Sequence, residues 1–226
     1  CKSAFAEYVV TSADTLAPKP AEASFEQAAA LGVSAMVALQ ALRDLGNVQP
    51  GQRVLINGAS GGVGTFAVQI AKALGAEVTA VCSTRNLELV QSIGADHAID
   101  YTKEDFTHGE QRYDLILDNV GTRSLAETRL ALDADGRLLS NGAPAGGWTR
   151  PLGRILRVLV SSLVVRQQAR PVVHAYRASD LMALAVLVEA GNLSPVIDLA
   201  STLDEGASAV GHVADGHAQG TTVITM

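Results

Sequence analysis

The feature that most constrains the fold is a glycine cluster between an apolar run and a helical pattern. Residues 53–57 read RVLIN, which is typical of a buried strand, and residues 62–74 have the spacing of a helix. The glycines at this junction are Gly58, Gly61, Gly62 and Gly64. Glycines placed so allow a tight turn and let the backbone approach a pyrophosphate at the positive end of the helix. The junction therefore predicts a dinucleotide-binding unit.

Strand-like and helical segments alternate after this junction. The strand-like runs are 53–57, 77–82, 97–100, 113–120 and 136–142. The helical patterns are 62–74, 86–93 and 123–132. Several strands are continuous apolar runs, as in a parallel sheet that is covered on both faces. We therefore predict an α/β fold with a Rossmann-type, doubly wound parallel sheet.

The segments before the junction predict a short strand and a long helix. Residues 4–10 are rich in β-forming residues, and residues 24–46 are rich in alanine with helical spacing. Ser24 and Gln27 form a capping-box pattern at the start of the helix. A break is expected near Gly32 because glycine weakens helices.

The segments after residue 142 are less regular. Residues 171–176, PVVHAY, predict the sixth strand, and residues 179–191 predict a helix with Ser179 as N-cap and Gly191 as the stop. The end of the chain, residues 193–226, has the pattern of a strand, a helix and a strand.

Composition narrows the classes of protein. The net charge of −6 argues against general nucleic-acid binding. Two cysteines, Cys1 and Cys82, offer no disulfide framework or zinc-knuckle spacing, so a reducing, cytoplasmic setting is expected. The apolar run 158–165 is too short to span a bilayer.

The end of the second strand indicates which dinucleotide binds. NAD-binding proteins usually place Asp or Glu there, whereas this chain has Cys82, Ser83, Thr84 and Arg85. Hydroxyl donors and a guanidinium suit a 2′-phosphate, so we predict NADP(H). The alternative is that Arg85 is an ordinary solvated residue of the next helix.

The basic stretch 150–170 carries five arginines and no acidic residue. A weak peripheral membrane contact is one interpretation of this pattern. Packing on the chain's own domain or on a partner subunit is the alternative.

Other chemistry lacks sequence support. No tyrosine has a lysine four residues later, as short-chain dehydrogenases require, and no lysine follows the glycines as in a P-loop. The histidines, His212 and His217 included, show no metal spacing. Cys82 is expected to pack in the core, and Asp118 is interpreted as a strand-end loop residue or a ribose contact. No catalytic residue and no metal ligand is assigned.

Several segments in sequence order resemble the medium-chain dehydrogenase/reductase superfamily, in its quinone oxidoreductase branch. They are AEYVV, AAALGVSAMVALQAL, VQPGQRVLINGASGGVGTFAVQIAKALGAEV, IGADHAIDY, YDLILDNVG and GHAQGTTVI. The resemblance implies a Rossmann domain plus part of a GroES-like β catalytic domain, in a homodimer. The implied boundaries are 1–35 for the catalytic-domain remnant, 36–192 for the Rossmann domain and 193–226 for the return to the catalytic domain. Family members are longer at the N-terminus by about 100 residues, the size of a small domain.

The resemblance also implies a set of cofactor-binding residues. The pyrophosphate loop maps onto Ala59, Ser60, Gly61, Gly62, Val63 and Gly64. The 2′-phosphate site maps onto Ser83, Arg85 and Tyr101. The nicotinamide and its ribose map onto Asn119, Val120, Gly121, Ser140, Gly142 and Ala143.

Three departures from the family pattern matter for its chemistry. Zinc-dependent relatives carry a cysteine ligand where this chain has Val33, and the segment LGVSAMVAL contains no Cys or His, so no catalytic zinc is expected. A threonine common in the quinone reductase branch corresponds to Val37. The family's ARGK near the C-terminus reads AQGT, residues 218–221.

The resemblance therefore implies an NADPH-dependent oxidoreductase that transfers hydride to a quinone or an α,β-unsaturated carbonyl compound without zinc. Two alternatives stay open. One is a zinc-free NADP-dependent alcohol dehydrogenase, and the other is a non-catalytic NADP(H)-binding protein with a structural or sensing role.

Overall fold

The structure, a computed structural model, describes residues 6, 8–142, 166–216 and 218–226. Its strands are β1 (Arg53–Asn57), β2 (Glu77–Cys82), β3 (His97–Asp100), β4 (Tyr113–Asp118), β5 (Leu132–Ser140), β6 (Gln168–Pro171), β7 (Ile197–Thr202) and β8 (Thr221–Thr225). Its helices are α1 (Phe25–Leu45), α2 (Gly62–Ala73), α3 (Leu87–Ser92), α4 (Leu125–Leu130), α5 (Ala178–Glu189) and α6 (Gly206–Ala214). Short 3₁₀ turns occupy Ala13–Thr15, Thr84–Asn86 and Leu203–Glu205.

The main sheet has six parallel strands in the order β3-β2-β1-β4-β5-β6. This order reverses direction between β1 and β4, which creates a crevice at the carboxyl ends of those strands. Leu55 and Ile56 of β1 are fully buried, and they belong to two separate apolar clusters, as expected for a central strand that is covered on both faces. The predicted Rossmann-type doubly wound sheet is confirmed.

Helix α1 is one continuous helical stretch with π-helical turns at Leu31–Ala35 and Gln40–Leu45. The predicted break near Gly32 is wrong, because the helix absorbs this region as a π turn that keeps its backbone bonded. The capping box of Ser24 and Gln27 is present as predicted.

The length and apolar composition of α1 would suffice to cross a membrane, but 56% of its most apolar window is buried inside the protein. It packs against α2 and α5, so we assign it to the core of the fold. The predicted domain boundary between residues 35 and 36 falls inside this helix, and the division into three segments stays a prediction.

A second sheet consists of two parallel strands, β7 and β8, and α6 connects them. The strand-helix-strand pattern expected for residues 193–226 is therefore correct. This unit reaches the main sheet beside the glycine turn, where Gly220 forms an isolated parallel bridge with Gly61. The amide of Gly220 donates to the carbonyl of Ser60 at 2.9 Å.

The sixth strand begins earlier than predicted, at Gln168, and residues 172–176 leave the sheet. Contacts with α1 explain the difference. The Gln40 side chain donates to the carbonyl of Ala175 at 2.7 Å and accepts from its amide at 3.0 Å. A buried side chain thus satisfies the backbone that a strand partner would otherwise satisfy.

Two smaller predictions are also corrected. Helix α5 has Arg177 rather than Ser179 as its N-cap, because Asp180 is buried against Gln40 and Arg43 and draws the first turn inward. Residues 8–10 form no strand, and residues 1–5 and 7 lie outside the described residues. The stop at Gly191 is correct, since its φ of +72° is one that glycine adopts readily.

Candidate dinucleotide-binding site

The glycine junction forms a tight turn that only glycine permits at two positions. Gly58 has φ +75°, and a Cβ there would lie 2.7 Å from the Val120 side chain. A Cβ on Gly64 would lie 2.1 Å from the carbonyl oxygen of Gly58, so α2 can pack on the turn only without one. The amides of Gly58 and Ala59 donate to the carbonyl of Val81, which ties the turn to the end of β2.

Helix α2 begins at this turn, with Gly61 as N-cap and no acidic residue in its first turn. The first amides of a helix have no intrahelical acceptor and carry the positive end of the helix dipole. They face the crevice between β1 and β4, where an anionic group would find backbone donors and no acidic side chain from the first turn of α2. The local geometry therefore fits a diphosphate.

A cleft of about 740 Å³ opens at the carboxyl ends of β1, β2, β3 and β4. Most of the sequence-predicted residues line it: Ser60, Gly61, Gly62, Val63, Gly64, Ser83, Arg85, Tyr101, Asn119 and Val120. The fold thus brings four separate stretches of sequence together around one cavity. Their role in binding a cofactor stays a prediction.

The other predicted residues that the structure describes are not among those that line the cleft. Ala59 is fully buried, and a Cβ on Gly142 would lie 2.4 Å from the backbone of Asn119. Gly121 and the half-buried Ser140 lie in the loop after β4 and at the end of β5. They are not part of the lining, so they can shape the cavity rather than face it. Ala143 lies outside the described residues.

Asp118 ties three loops of the cleft together. The carboxylate of this buried residue accepts from the Asn57 side chain at 2.9 Å and from the amides of Val120 and Gly121. Its carbonyl oxygen accepts from the amides of Asn141 and Gly142, both at 2.9 Å. Asp118 is therefore the buried last residue of β4 rather than a loop residue, and its contacts hold the adjoining loops; a ribose contact stays a prediction.

The predicted 2′-phosphate end combines the ends of β2 and β3. Ser83, Arg85 and Tyr101 line the same part of the cleft, and the side chains of Arg85 and Tyr101 are exposed to solvent. Thr84 turns away, since its hydroxyl donates to Asp100 at 2.5 Å. The sequence-based suggestion that Thr84 offers a donor to a ligand is therefore wrong.

Asp100 is an acid close to this end that the sequence analysis missed. Besides Thr84, its carboxylate accepts from the amide and hydroxyl of Thr102 and pairs with Lys103 at 3.3 Å. Hydrogen bonds from Thr84 first, and then from Thr102 and Lys103, hold the pKa of Asp100 well below its usual range. Neighbouring donors thus already satisfy the negative charge of Asp100. The bond from Thr84 depends on the pairing of β2 with β3, so the sequence alone does not reveal it.

Cys82 also lines the cleft, yet its residue exposure is only 1%. Burial, together with the charge of Asp100, raises the pKa of the Cys82 thiol to about 11. A neutral, buried thiol is a poor nucleophile, which agrees with the expected packing role.

Several lining residues had no signal in the sequence. They include Asn57, Asn86, Glu104, Phe106, Thr122 and Asn141. Arg123 pairs with Asp105 at 2.9 Å and links the loop after β4 to the loop after β3. Residues of this kind meet only because β3 and β4 end on the same edge of the sheet, and no local spacing predicts that.

The described residues contain no group of three or more His, Cys, Asp and Glu side chains able to hold a metal ion. Val33 lies on α1 and is 48% exposed. His212 bonds to Asp198 at 2.5 Å, whereas His217 lies outside the described residues. Most of the basic stretch 150–170 also lies outside them, so its predicted membrane contact stays a prediction.

Comparisons with known proteins agree with this geometry. The model of the zinc-binding dehydrogenase family matches residues 93–224. The chain is 37% identical to mouse mitochondrial NAD(P)H oxidoreductase RTN4IP1, over 97% of this chain and 60% of that protein. It is 30% identical to the chloroplast envelope quinone oxidoreductase homolog of Arabidopsis thaliana, over 97% of this chain and 68% of that protein.

A solved structure shares the fold closely. The crystal structure of an NAD-dependent alcohol dehydrogenase superposes with a TM-score of 0.83 at 29% identity, over 98% of this chain and 65% of that one. Fold and cleft define an α/β protein with a Rossmann-like parallel sheet and an open cleft at the carboxyl ends of its strands. The chain belongs to the zinc-binding dehydrogenase family, within the medium-chain dehydrogenase/reductase superfamily, as the sequence resemblance implied. It spans about 60% of the length of its mammalian relative.

Proposed function

We propose that this chain is the coenzyme-binding part of an NADPH-dependent oxidoreductase that transfers hydride to a quinone or an α,β-unsaturated carbonyl compound without zinc. The observation that carries the proposal is the cleft itself. It joins an acid-free helix N-terminus at one end to Ser83, Arg85 and Tyr101 at the other. This arrangement suits a diphosphate and a 2′-phosphate on the same ligand.

In this proposal the pyrophosphate lies on the turn from Ala59 to Gly64, and the adenosine 2′-phosphate lies between Arg85 and Ser83. The nicotinamide end extends toward Asn119 and Val120, near Gly121, Ser140 and Gly142. Ala143, which lies outside the described residues, stays part of the prediction for this end. The nicotinamide supplies the hydride when bound. The residues of this chain hold the coenzyme, fix its orientation and limit the access of water.

The absence of a zinc ligand is proposed from the residues of α1 rather than from the family name. The aligned position holds Val33, whose side chain cannot bind a metal. Without a Lewis acid, polarisation of the substrate carbonyl needs a proton donor, and no described residue is assigned to that task. Total metal analysis of the purified protein checks this point, and one zinc per chain would refute it.

The proposed partners are a small-molecule substrate and a second copy of the chain, in a homodimer. The name of the mouse relative places that protein in mitochondria, and the name of the Arabidopsis relative places that one in the chloroplast envelope. A cytoplasmic setting for this chain therefore stays a prediction.

Alcohol oxidation is a second candidate, favoured by the similarity to a solved NAD-dependent alcohol dehydrogenase. A non-catalytic NADP(H)-binding role is the third. A titration with NADPH and NADH, followed by a panel of quinones, enones and secondary alcohols, separates the three. Tighter binding of NADPH with oxidation of the coenzyme by quinones or enones supports the proposal. Alcohol-dependent reduction of NADP⁺ supports the second candidate, and binding without turnover supports the third.

A further inference from the structure

Three side chains connect residues 218–221 to the glycine turn. The side-chain nitrogen of Gln219 (Nε2) donates to the side-chain oxygen of Asn86 (Oδ1) at 2.7 Å. The side-chain nitrogen of Asn86 (Nδ2) donates to the Ser60 hydroxyl oxygen at 2.8 Å. Asn86 is only 4% exposed. It is the N-cap residue of α3, but its side chain makes no capping hydrogen bond, although asparagine is among the favoured capping residues. The Asn86 amide is therefore committed to Ser60 and Gln219.

The direction of these bonds matters for Ser60. An asparagine side chain has one accepting oxygen and one donating nitrogen. Because Gln219 donates to the oxygen, the nitrogen is turned toward Ser60, whose own oxygen accepts. The Ser60 proton must then point elsewhere. Ser60 lines the cleft, and within the described part of the chain its hydroxyl has no acceptor.

The backbone holds this chain of bonds in place. The amide of Gly220 donates to the Ser60 carbonyl at 2.9 Å, and Gly220 pairs with Gly61 in a β-bridge. A Cβ on Gly220, which has φ +100°, would lie 2.4 Å from the carbonyl oxygen of Val196. The segment is thus fixed in position at the residue that directly follows Gln219.

From this geometry we infer that Gln219 and Asn86 are positioning residues that keep the Ser60 hydroxyl as a hydrogen-bond donor to the diphosphate of the bound coenzyme. The inference rests on the proposed function and goes beyond it, since neither Gln219 nor Asn86 needs to touch the ligand. A hydroxyl whose acceptor role is already used by Asn86 is preorganised to donate. Hydrogen bonds to charged groups are stronger than those between neutral groups, which gives this orientation its value.

The test is a double-mutant cycle on coenzyme affinity. Ser60→Ala should weaken NADPH binding about tenfold to a hundredfold, the usual effect of losing a hydrogen bond to a charged group. Gln219→Ala should weaken it about threefold, because the Asn86 amide loses the bond that orients it. In the Ser60→Ala background the Gln219 substitution should have no further effect, since it acts only through that hydroxyl.

A second ligand separates positioning from general distortion. Adenosine 2′-monophosphate lacks the diphosphate, so its affinity should be unchanged in all three variants. The same double-mutant cycle can be made with Asn86→Ala in place of Gln219→Ala, because Asn86 contacts Ser60 directly. The unfolding temperature of this variant shows whether it stays folded. Gln91→Ala on the exposed side of α3 is the matched control and should bind as wild type does.

Two results would overturn this inference while leaving the proposed function intact. One is that the Gln219 and Ser60 substitutions act independently, so that their fold-losses in NADPH affinity multiply in the double variant. The other is a parallel loss of affinity for adenosine 2′-monophosphate. Wild-type protein that binds neither NADPH nor NADH would instead overturn the proposed function, and this inference with it.

Discussion

The two ends of the cleft are built by different means. At the diphosphate end the backbone forms the site, and the identity that matters is glycine, as the contacts of Gly58 and Gly64 show. At the opposite end side chains form the site, and their positions depend on the pairing of β2 with β3 through Asp100. Under the proposed function, the first end would therefore suit either coenzyme, whereas a preference for NADPH would arise at the second end.

The strongest way to break the diphosphate end is Gly64→Ala. The new Cβ would lie 2.1 Å from the Gly58 carbonyl oxygen, so either the turn or α2 must shift. We expect destabilisation of about 3 kcal/mol in thermal or urea unfolding, together with loss of binding of both coenzymes. Gly32→Ala in α1 is the control, since nothing lies within 4 Å of its Cβ position. Normal binding of both coenzymes by the Gly64 variant would contradict this view of the turn.

Arg85→Ala tests the opposite end. The variant should lose about 1–3 kcal/mol of NADPH binding with little change for NADH, because only NADPH carries the 2′-phosphate. Isothermal titration calorimetry with each coenzyme measures the difference. Arg112→Ala, outside the cleft lining, should leave both affinities unchanged. Equal losses for NADPH and NADH would place Arg85 elsewhere on the coenzyme.

Asp100→Asn tests how the side-chain end is held together. The pKa of Asp100 is lowered in the folded state, so its charged form adds stability above the ordinary aspartate pKa of about 3.9. That contribution is lost as the pH falls below this value toward the lower folded pKa. In acid unfolding, the free energy of unfolding of the variant should therefore fall less than that of the wild type between about pH 5 and about pH 2. An unchanged acid-unfolding curve would remove Asp100 from this role.

The smallest effect is expected at Cys82. With a pKa near 11 and almost no exposure, its thiol should react with iodoacetamide at pH 8 far more slowly than in the unfolded chain. Peptide mass mapping distinguishes it from Cys1. Rapid labelling of Cys82 in the folded protein would mean that this part of the cleft opens.

The diphosphate end could be predicted from sequence because its information is local. A strand, a glycine turn and a helix follow one another within residues 53–74, and each has its own periodicity. The capping box at Ser24 is local in the same way. Elements of this kind are fixed by steric and hydrogen-bonding rules that operate over a few residues.

The errors share a different cause, which is contact over long sequence distances. Residues 172–176 leave the sheet because Gln40 satisfies the backbone of Ala175, and α5 begins early because Gln40 and Arg43 bind Asp180. Thr84 is unavailable to a ligand because Asp100 lies beside it on the next strand. No pattern within a single segment contains these pairings, so residue-by-residue reading missed them.

The bridge between Gly61 and Gly220 joins an early segment of the chain to a late one. During synthesis the ribosome releases the glycine turn long before it has made residues 218–221. The nascent chain can thus form the central strands and still lack the contact that holds Ser60 in place. If the proposed function holds, the coenzyme affinity that depends on the Ser60 hydroxyl would therefore appear only after residues 218–221 have been synthesised and have docked on the glycine turn.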